Sequence, residues 1–173
     1  MRSIAVYLKE AHMISLSRAV PVNPPDAPVK LTRDDVWRGL ELKARDALPF
    51  VKSMNRCEVV ESDANTLLRN IEINGEPFQE RVTLTPKAHV EFVRTKGRIL
   101  GTITNDIEED ADGELLLRFG FNLEVEGVES GSAQEREIEN TMKSGYLEAV
   151  DATLAAVRRL VTEGDGKIAA DAS

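Results

Sequence analysis

Apolar and polar residues alternate along most of the chain with a period of two, which is typical of half-buried β-strands. Turn residues separate the alternating segments, and Asn74-Gly75 is the strongest hairpin signal among them. A proline-rich connector at residues 21–28 follows the first segment. The pattern predicts strands over residues 14–20, 56–61, 66–73, 76–85, 88–94, 98–108 and 114–125. Because most of them follow one another through short turns, we expect an antiparallel meander.

Two segments have the helical period instead. Thr32, with Asp34 and Asp35 in the first turn, predicts the start of a helix that Pro49 ends. From Gln134 to Val161 apolar residues recur on one broad face, which predicts a helix of about 28 residues. A helix with so long an apolar stripe needs a large apolar surface, and the sheet is the only one predicted. The sequence therefore predicts an α+β fold in which the sheet packs against a long C-terminal helix.

The length of 173 residues suits a single domain. We expect residues 13–163 to form it, residues 1–12 to be an extension outside the core, and residues 164–173 to be a flexible tail. Lys9 and Glu10 interrupt the apolar start that a signal peptide would need, and no apolar run reaches the roughly 20 residues of a membrane helix. These features predict a cytoplasmic protein without stable membrane insertion.

The charge balance excludes some classes of partner. Twenty-two basic and 30 acidic residues give a net charge of -8, whereas nucleic-acid binding relies on a basic face. With one cysteine, Cys57, and two histidines, the chain lacks a typical metal-ligand cluster, and we expect neither a metal nor a cofactor. The acidic turn at residues 106–114 fits a calcium loop poorly, because Phe119 stands where the closing glutamate belongs, and a solvated hairpin tip is favoured.

Three polar residues fall on strand faces that are otherwise apolar. Asn105 shares a face with Ile103, and Arg69 and Glu80 are in step with apolar neighbours on their own strands. A buried polar group without a partner costs about 1–3 kcal/mol, so these side chains either pair or border a wet cavity. Because Arg69 and Glu80 flank the Asn74-Gly75 turn, an ordinary ion pair across the hairpin is the structural alternative.

Tyr146 lies on the sheet-facing stripe of the long helix, one turn after Met142 and just before Ala149. Small residues nearby leave room into which its hydroxyl can point, and the alternative is a core tyrosine with one hydrogen bond. No catalytic motif accompanies it. His89 has no acid or nucleophile at a recognisable spacing, which favours a structural role.

Several segments together resemble one family. They stand in order at residues 13–18, 36–40, 80–84, 101–107 and 113–119, ahead of the long helix. Over about residues 13–163 the chain resembles the uncharacterised family named after a protein of the fungal acetylaranotin biosynthesis cluster, within the START-like helix-grip superfamily. The resemblance implies a bent antiparallel sheet of about seven strands wrapped around a long C-terminal helix. It also implies an apolar cavity between the sheet and that helix.

This resemblance implies binding of a hydrophobic small molecule, lipid- or polyketide-like, and from their positions on apolar strand faces we expect Asn105, Arg69 and Glu80 to fix its polar end. The alternative is a polyketide cyclase or aromatase that uses the same cavity, with Tyr146 or Glu80 moving protons. A third alternative is an interaction protein that binds no ligand because its own side chains fill the cavity. Binding is favoured because no general base stands at a secure inward position. The predicted lining residues are Arg69, Glu80, Ile103, Asn105, Phe119, Phe121, Met142, Tyr146 and Ala149.

Overall fold

The structure, a computed structural model, describes residues 13–164. The strands are β1 (Met13–Pro21), β2 (Met54–Ser62), β3 (Thr66–Ile73), β4 (Glu76–Thr85), β5 (His89–Lys96), β6 (Ile99–Glu109) and β7 (Leu115–Val125). The helices are α1 (Arg33–Arg45) and α2 (Ala133–Glu163). The predicted α+β helix-grip architecture is confirmed. The predicted extension at residues 1–12 and most of the predicted tail lie outside the described residues.

The strands form one antiparallel sheet of seven in the order β1-β7-β6-β5-β4-β3-β2. Strands β2 to β7 are a meander, and β1 pairs with β7 at the edge. On the inner face, the register sets Arg69 opposite Glu80, Glu80 opposite Arg94, and Arg94 opposite Gly101. Gly101 has φ +129, and a Cβ there would lie 2.1 Å from the Asn122 carbonyl oxygen, so only glycine fits. The inner face therefore carries a row of three charged side chains across β3, β4 and β5. The row ends at β6, where Gly101 has no side chain.

Helix α1 begins where the sequence predicts, but it ends earlier than predicted. The Thr32 hydroxyl accepts a hydrogen bond from the Asp35 N–H at 3.2 Å, and the Asp35 carboxylate accepts one from the Thr32 N–H at 2.7 Å. This capping box starts the helix. The helix ends at Arg45 rather than at Pro49, because Asp46 adopts extended backbone with φ -148 and ψ 103. The early end turns the chain towards β2.

Helix α2 packs differently along its length. Its second half buries Val150, Thr153, Leu154, Ala156, Val157 and Leu160. Gly39 lets α1 approach it closely, since a Cβ at Gly39 would lie 2.2 Å from Val157 Cγ2. In the first half, Ile138 and Met142 stay half-buried against the sheet. Neither helix among residues 13–164 combines the length and the apolar character that crossing a membrane requires.

The acidic hairpin tip between β6 and β7 is exposed, as the sequence predicts. The Asp110 carboxylate accepts hydrogen bonds from the backbone N–H groups of Asp112 at 2.9 Å and Glu114 at 3.0 Å. These bonds shape the turn from within.

Candidate functional site

The inner face of the sheet carries a buried ionic row across β3, β4 and β5. Arg69 Nη2 donates to Glu80 Oε2 at 2.8 Å and Arg69 Nε to the same oxygen at 3.0 Å. Arg94 Nε donates to Glu80 Oε1 at 3.3 Å. The exposed fractions of the three side chains are 3%, 3% and 8%. The ion pair that the sequence suggests across the hairpin is present, and Arg94, which sequence reasoning missed, extends it.

Arg69 also joins the sheet to helix α1. Its Nη1 donates to the backbone carbonyls of Lys43 and Ala44, each at 2.9 Å. Both carbonyls belong to the last turn of α1, where the helix itself supplies no partners. The centroid of the Phe92 ring lies 4.9 Å from the guanidinium carbon of Arg69. Arg69 therefore holds the end of α1 against the sheet, and its role as a ligand anchor stays a prediction.

Lys43 enters the same interior from α1 with only 6% of its surface exposed. Its Nζ donates to Asn105 Oδ1 at 3.2 Å and lies 5.2 Å from the centroid of the Phe119 ring. Burial, followed by the positive charge of Arg69, lowers the pKa of Lys43 from 10.5 to about 7. Sequence reasoning missed Lys43, although helical spacing places it three residues after the buried Leu40.

Asn105 is fully buried in the middle of β6, as its position among apolar neighbours predicts. Its Oδ1 accepts from Lys43, which sets the orientation of the amide, because the reverse would bring two donors together. No hydrogen bond of regular geometry within residues 13–164 reaches the Nδ2 group, although the Asn105 side chain lies close enough to the Tyr146 hydroxyl to lower its pKa. An unpaired buried donor costs about 1–3 kcal/mol, so this N–H group calls for an explanation.

Tyr146 reaches from α2 onto the sheet. Its hydroxyl donates to the Gly120 carbonyl at 3.0 Å and lies 3.5 Å from the Thr104 carbonyl oxygen. The rings of Phe119 and Phe121 meet the Tyr146 ring edge to face, with centroids 5.7 Å and 4.9 Å away. Burial raises the pKa of Tyr146 above its usual value, which keeps the hydroxyl protonated. The geometry matches the alternative of a hydrogen-bonded core tyrosine.

Between the inner face of the sheet and the first half of α2 lies a cluster of apolar side chains that are only partly buried. We call it the α2 cleft and define it by the half-buried side chains that pack around Phe121, which are Ile99, Ile103, Ile138, Met142 and Tyr146. Solvent reaches these side chains although they face the core. Phe119 and Phe121 lie beneath them, exposed by only 1% and 2%.

The predicted lining residues thus separate into layers. Ile103, Met142 and Tyr146 border the α2 cleft, and Ala149 is half-buried one turn further along α2. The predicted polar residues Arg69, Glu80 and Asn105 lie deeper and are exposed by 3% or less. Contact between these residues and a ligand stays a prediction.

A second concave feature lies across β1, β7 and β6. It is a groove of about 290 Å³ lined by Ser15, Leu16, Ser17, Thr102, Thr104, Gly120, Phe121 and Asn122. Its hydroxyl and amide side chains belong to the face of the sheet that points away from α2, since they alternate with the buried positions. The groove carries no ionisable side chain.

The outer face also carries a pair that sequence reasoning missed. His89 Nδ1 lies 2.5 Å from Asp106 Oδ1, and their side chains are 32% and 30% exposed. The two residues are opposite each other on β5 and β6, 17 positions apart in the chain. Because their neighbours Val90 and Asn105 point inward, this pair points away from the α2 cleft.

Residues 16–164 match the family model described as Acetylaranotin biosynthesis cluster protein L. The chain belongs to this family. A search of curated protein sequences gives no significant match. The resemblance inferred from the sequence is therefore confirmed at the level of the family.

Solved structures show the same fold. The Zhui aromatase/cyclase from Streptomyces sp. R1128 has a TM-score of 0.69 at 15% identity, covering 88% of this chain and 98% of that one. The di-domain aromatase/cyclase StfQ of the steffimycin pathway has a TM-score of 0.64 at 9% identity, covering 83% and 50%. A START superfamily protein from Mycobacterium smegmatis has a TM-score of 0.60 at 14% identity, covering 86% and 99%. At these identities the likeness extends to the fold alone.

Proposed function

We propose that this protein binds a hydrophobic small molecule, lipid- or polyketide-like, in the α2 cleft. The observation that supports this most directly is that apolar side chains on the core-facing side, among them Ile103 and Met142, stay solvent-accessible. An apolar surface beside a few buried polar groups is the usual composition of a small-molecule site. The fold is shared with a START protein and with two aromatase/cyclases, which adds support.

In this proposal Asn105 fixes the polar end of the ligand, because its Nδ2 is a buried donor that makes no regular hydrogen bond to any residue the structure describes. Arg69 and Glu80 act indirectly, without contacting the ligand. They neutralise each other and hold α1 against the sheet, so they position the floor of the site. Tyr146 closes one side of the cleft through its contacts with Phe119 and Phe121.

The test is binding of Nile red, an uncharged apolar dye, measured by its fluorescence. Met142→Glu places a carboxylate in the α2 cleft, and Val161→Glu is the matched control on the same helix, since Val161 is 41% exposed. We expect Met142→Glu to weaken dye binding about tenfold or more, and Val161→Glu to leave it unchanged. Each variant is first checked for its thermal unfolding transition.

Two results would contradict the proposal. One is the absence of dye binding to the unmodified protein. The other is equal dye binding by the unmodified protein and a folded Met142→Glu variant. That result would mean that the dye binds elsewhere, for example in the groove that contains Asn122.

A second candidate is a cyclase-like enzyme, and the position of Lys43 favours it. A lysine with a pKa of about 7 exchanges protons readily near neutral pH, and its contact with Asn105 sets it beside an unpaired donor. Lys43 suits this role better than Glu80, which both arginines hold, or Tyr146, whose pKa is raised.

This candidate predicts that the protein speeds hydrogen–deuterium exchange at the carbon between the two carbonyls of benzoylacetone. Lys43→Met would reduce the rate by about 10²-fold or more, while the exposed Lys52→Met would not. Exchange at the uncatalysed rate would leave ligand binding as the function.

A further inference from the structure

We propose that the ligand carries a carboxylate, and that Lys43 and Asn105 bind its two oxygens at the inner end of the α2 cleft. The inference rests on the proposed ligand-binding function and names the chemical class of the ligand.

The buried cluster has more cations than anions. Within residues 13–164, the cationic side chains of Lys43, Arg69 and Arg94 lie around one buried carboxylate, that of Glu80, while the other buried carboxylate, that of Glu135, belongs to the first turn of α2. Glu80 is shared between the two arginines, and neither of its oxygens is bonded to Lys43. A buried charge without a counter-charge is costly, and a ligand carboxylate would supply the missing negative charge.

The hydrogen-bond donors match the two oxygens of a carboxylate. Among residues 13–164, Asn105 Nδ2 makes no hydrogen bond of regular geometry, and Lys43 Nζ lies 3.2 Å from Oδ1 of the same amide. A carboxylate accepts at two oxygens, so one can pair with each donor. A hydroxyl would satisfy Nδ2 as an acceptor and leave the excess positive charge in place. The donor set therefore favours an anionic end group over a neutral one.

The solvent-accessible part of the inner face comes close to these donors. Ile103 is half-buried and lies two residues before Asn105 on the same face of β6. Two residues along a strand span about 6.8 Å, which is the length of a short chain of methylene groups. An amphipathic ligand with its carboxylate at Asn105 thus places its apolar part at Ile103 and in the α2 cleft.

Binding of such a ligand is coupled to the protonation of Lys43. The charged groups that act on Lys43 are Arg69 on β3 and Glu80 on β4. Arg94 on β5 binds Glu80 from the other side, and Tyr146 on α2 is within reach of both Arg94 and Glu80. Asp106 is nearby on the outer face and pairs with His89. The ammonium form of Lys43 attracts a carboxylate and the amine form does not, so affinity falls as pH rises above about 7.

The experiment compares decanoate with decan-1-ol, which differ only in the end group, as competitors that displace Nile red. For the unmodified protein at pH 6 we expect decanoate to bind about tenfold more tightly than decan-1-ol. From pH 6 to pH 8 decanoate should weaken about tenfold, while decan-1-ol stays constant. This comparison uses no variant, so it does not depend on the folding of one.

The variants assign the effect to its residue. Lys43→Met removes the ammonium group and keeps an apolar chain, whereas Lys52→Met removes a lysine that is 81% exposed. Lys43→Met should abolish the preference for decanoate and its pH dependence while keeping affinity for decan-1-ol. Lys52→Met should behave like the unmodified protein.

Each other outcome has a separate meaning. If both competitors displace the dye with equal affinity at pH 6, the carboxylate inference fails and the proposed binding function stands. If the preference survives in a folded Lys43→Met variant, the assignment to Lys43 is wrong. If neither competitor displaces Nile red from protein that binds it, the ligand is not a simple amphiphile, and the inference fails with it. If the dye itself does not bind, the proposed function fails.

Discussion

The two faces of the sheet carry ion pairs of similar geometry in different surroundings. On the inner face, Arg69 and Glu80 are 2.8 Å apart with side chains that are 3% exposed. On the outer face, Arg118 and Glu108 are 2.9 Å apart with side chains that are 40% and 36% exposed. Water and salt screen the outer pair, which is therefore worth about 0–1 kcal/mol. The inner pair has no such screening.

Burial, rather than the distance between the two charges, therefore decides how an ion pair affects this protein. Inside, each charge shifts the behaviour of its neighbours, as Arg69 and Glu80 do for the pKa of Lys43 in opposite directions. Outside, a carboxylate and a guanidinium at the same distance mainly shape the surface.

Glu80→Gln should have the largest effect. It keeps the shape of the side chain and removes the only negative charge between Arg69 and Arg94. Breaking a buried pair by removing one partner costs about 3–5 kcal/mol, because it leaves uncompensated charge in the core. Urea unfolding followed by circular dichroism measures the loss. A loss below 1 kcal/mol would show that the inner pair behaves like a surface pair.

Lys43→Met should change how stability depends on pH. The unfolded lysine has a pKa of 10.5 and the folded one about 7, so between these values the unfolded state binds more protons. Stability of the unmodified protein therefore gains a contribution of about 1 kcal/mol per pH unit from pH 7 to pH 9. The variant should lack this contribution. Parallel stability curves for the two proteins over that range would contradict the lowered pKa.

Tyr146→Phe should have a smaller effect, since it removes one hydrogen bond and keeps the ring. The hydroxyl donates to the Gly120 carbonyl at 3.0 Å, while the ring packs on Phe119 and Phe121. We expect a loss of about 1 kcal/mol in the free energy of unfolding. Thermal and urea unfolding both report it. No change in stability would mean that the hydroxyl is dispensable for the core.

Glu108→Gln should have the smallest effect and is the outer-face control for Glu80→Gln. It weakens the exposed contact with Arg118, so the expected loss is under about 0.5 kcal/mol and shrinks as salt is added. A loss as large as that of Glu80→Gln would remove the distinction between the two faces.

Much of the fold follows from local patterns. Alternation located every strand end to within two residues, because each strand has one buried face. The same alternation placed Asn105, Arg69 and Glu80 on the inner face, and the Asn74-Gly75 turn set the last two opposite each other. The predicted end of α1, at Pro49, lies beyond the observed end at Arg45. The reason is that Pro49 is a strong local signal for the end of a helix, whereas nothing as strong in the sequence marks the extended backbone at Asp46.

The parts of the site that were missed depend on contacts between distant segments. Lys43 carries a periodic signal, yet a lysine on a helix usually reaches water, and only the packing of α1 on the sheet buries it. Arg94 follows Val90 and Phe92 in step, and only the register with β4 brings it to Glu80. His89 and Asp106 are paired by the register of β5 with β6.

The sequence alone was enough to give the order of the elements, the strand bounds to within two residues, the inward positions of Asn105, Arg69 and Glu80, and the family of the chain. The packing of distant segments places Lys43 beside Arg69 and Asn105, and it leaves Asn105 Nδ2 without a regular hydrogen bond among residues 13–164. The physical reason is that periodicity reports burial one element at a time. The charge and hydrogen bonding of a buried cluster depend instead on which elements meet, and long-range packing sets that.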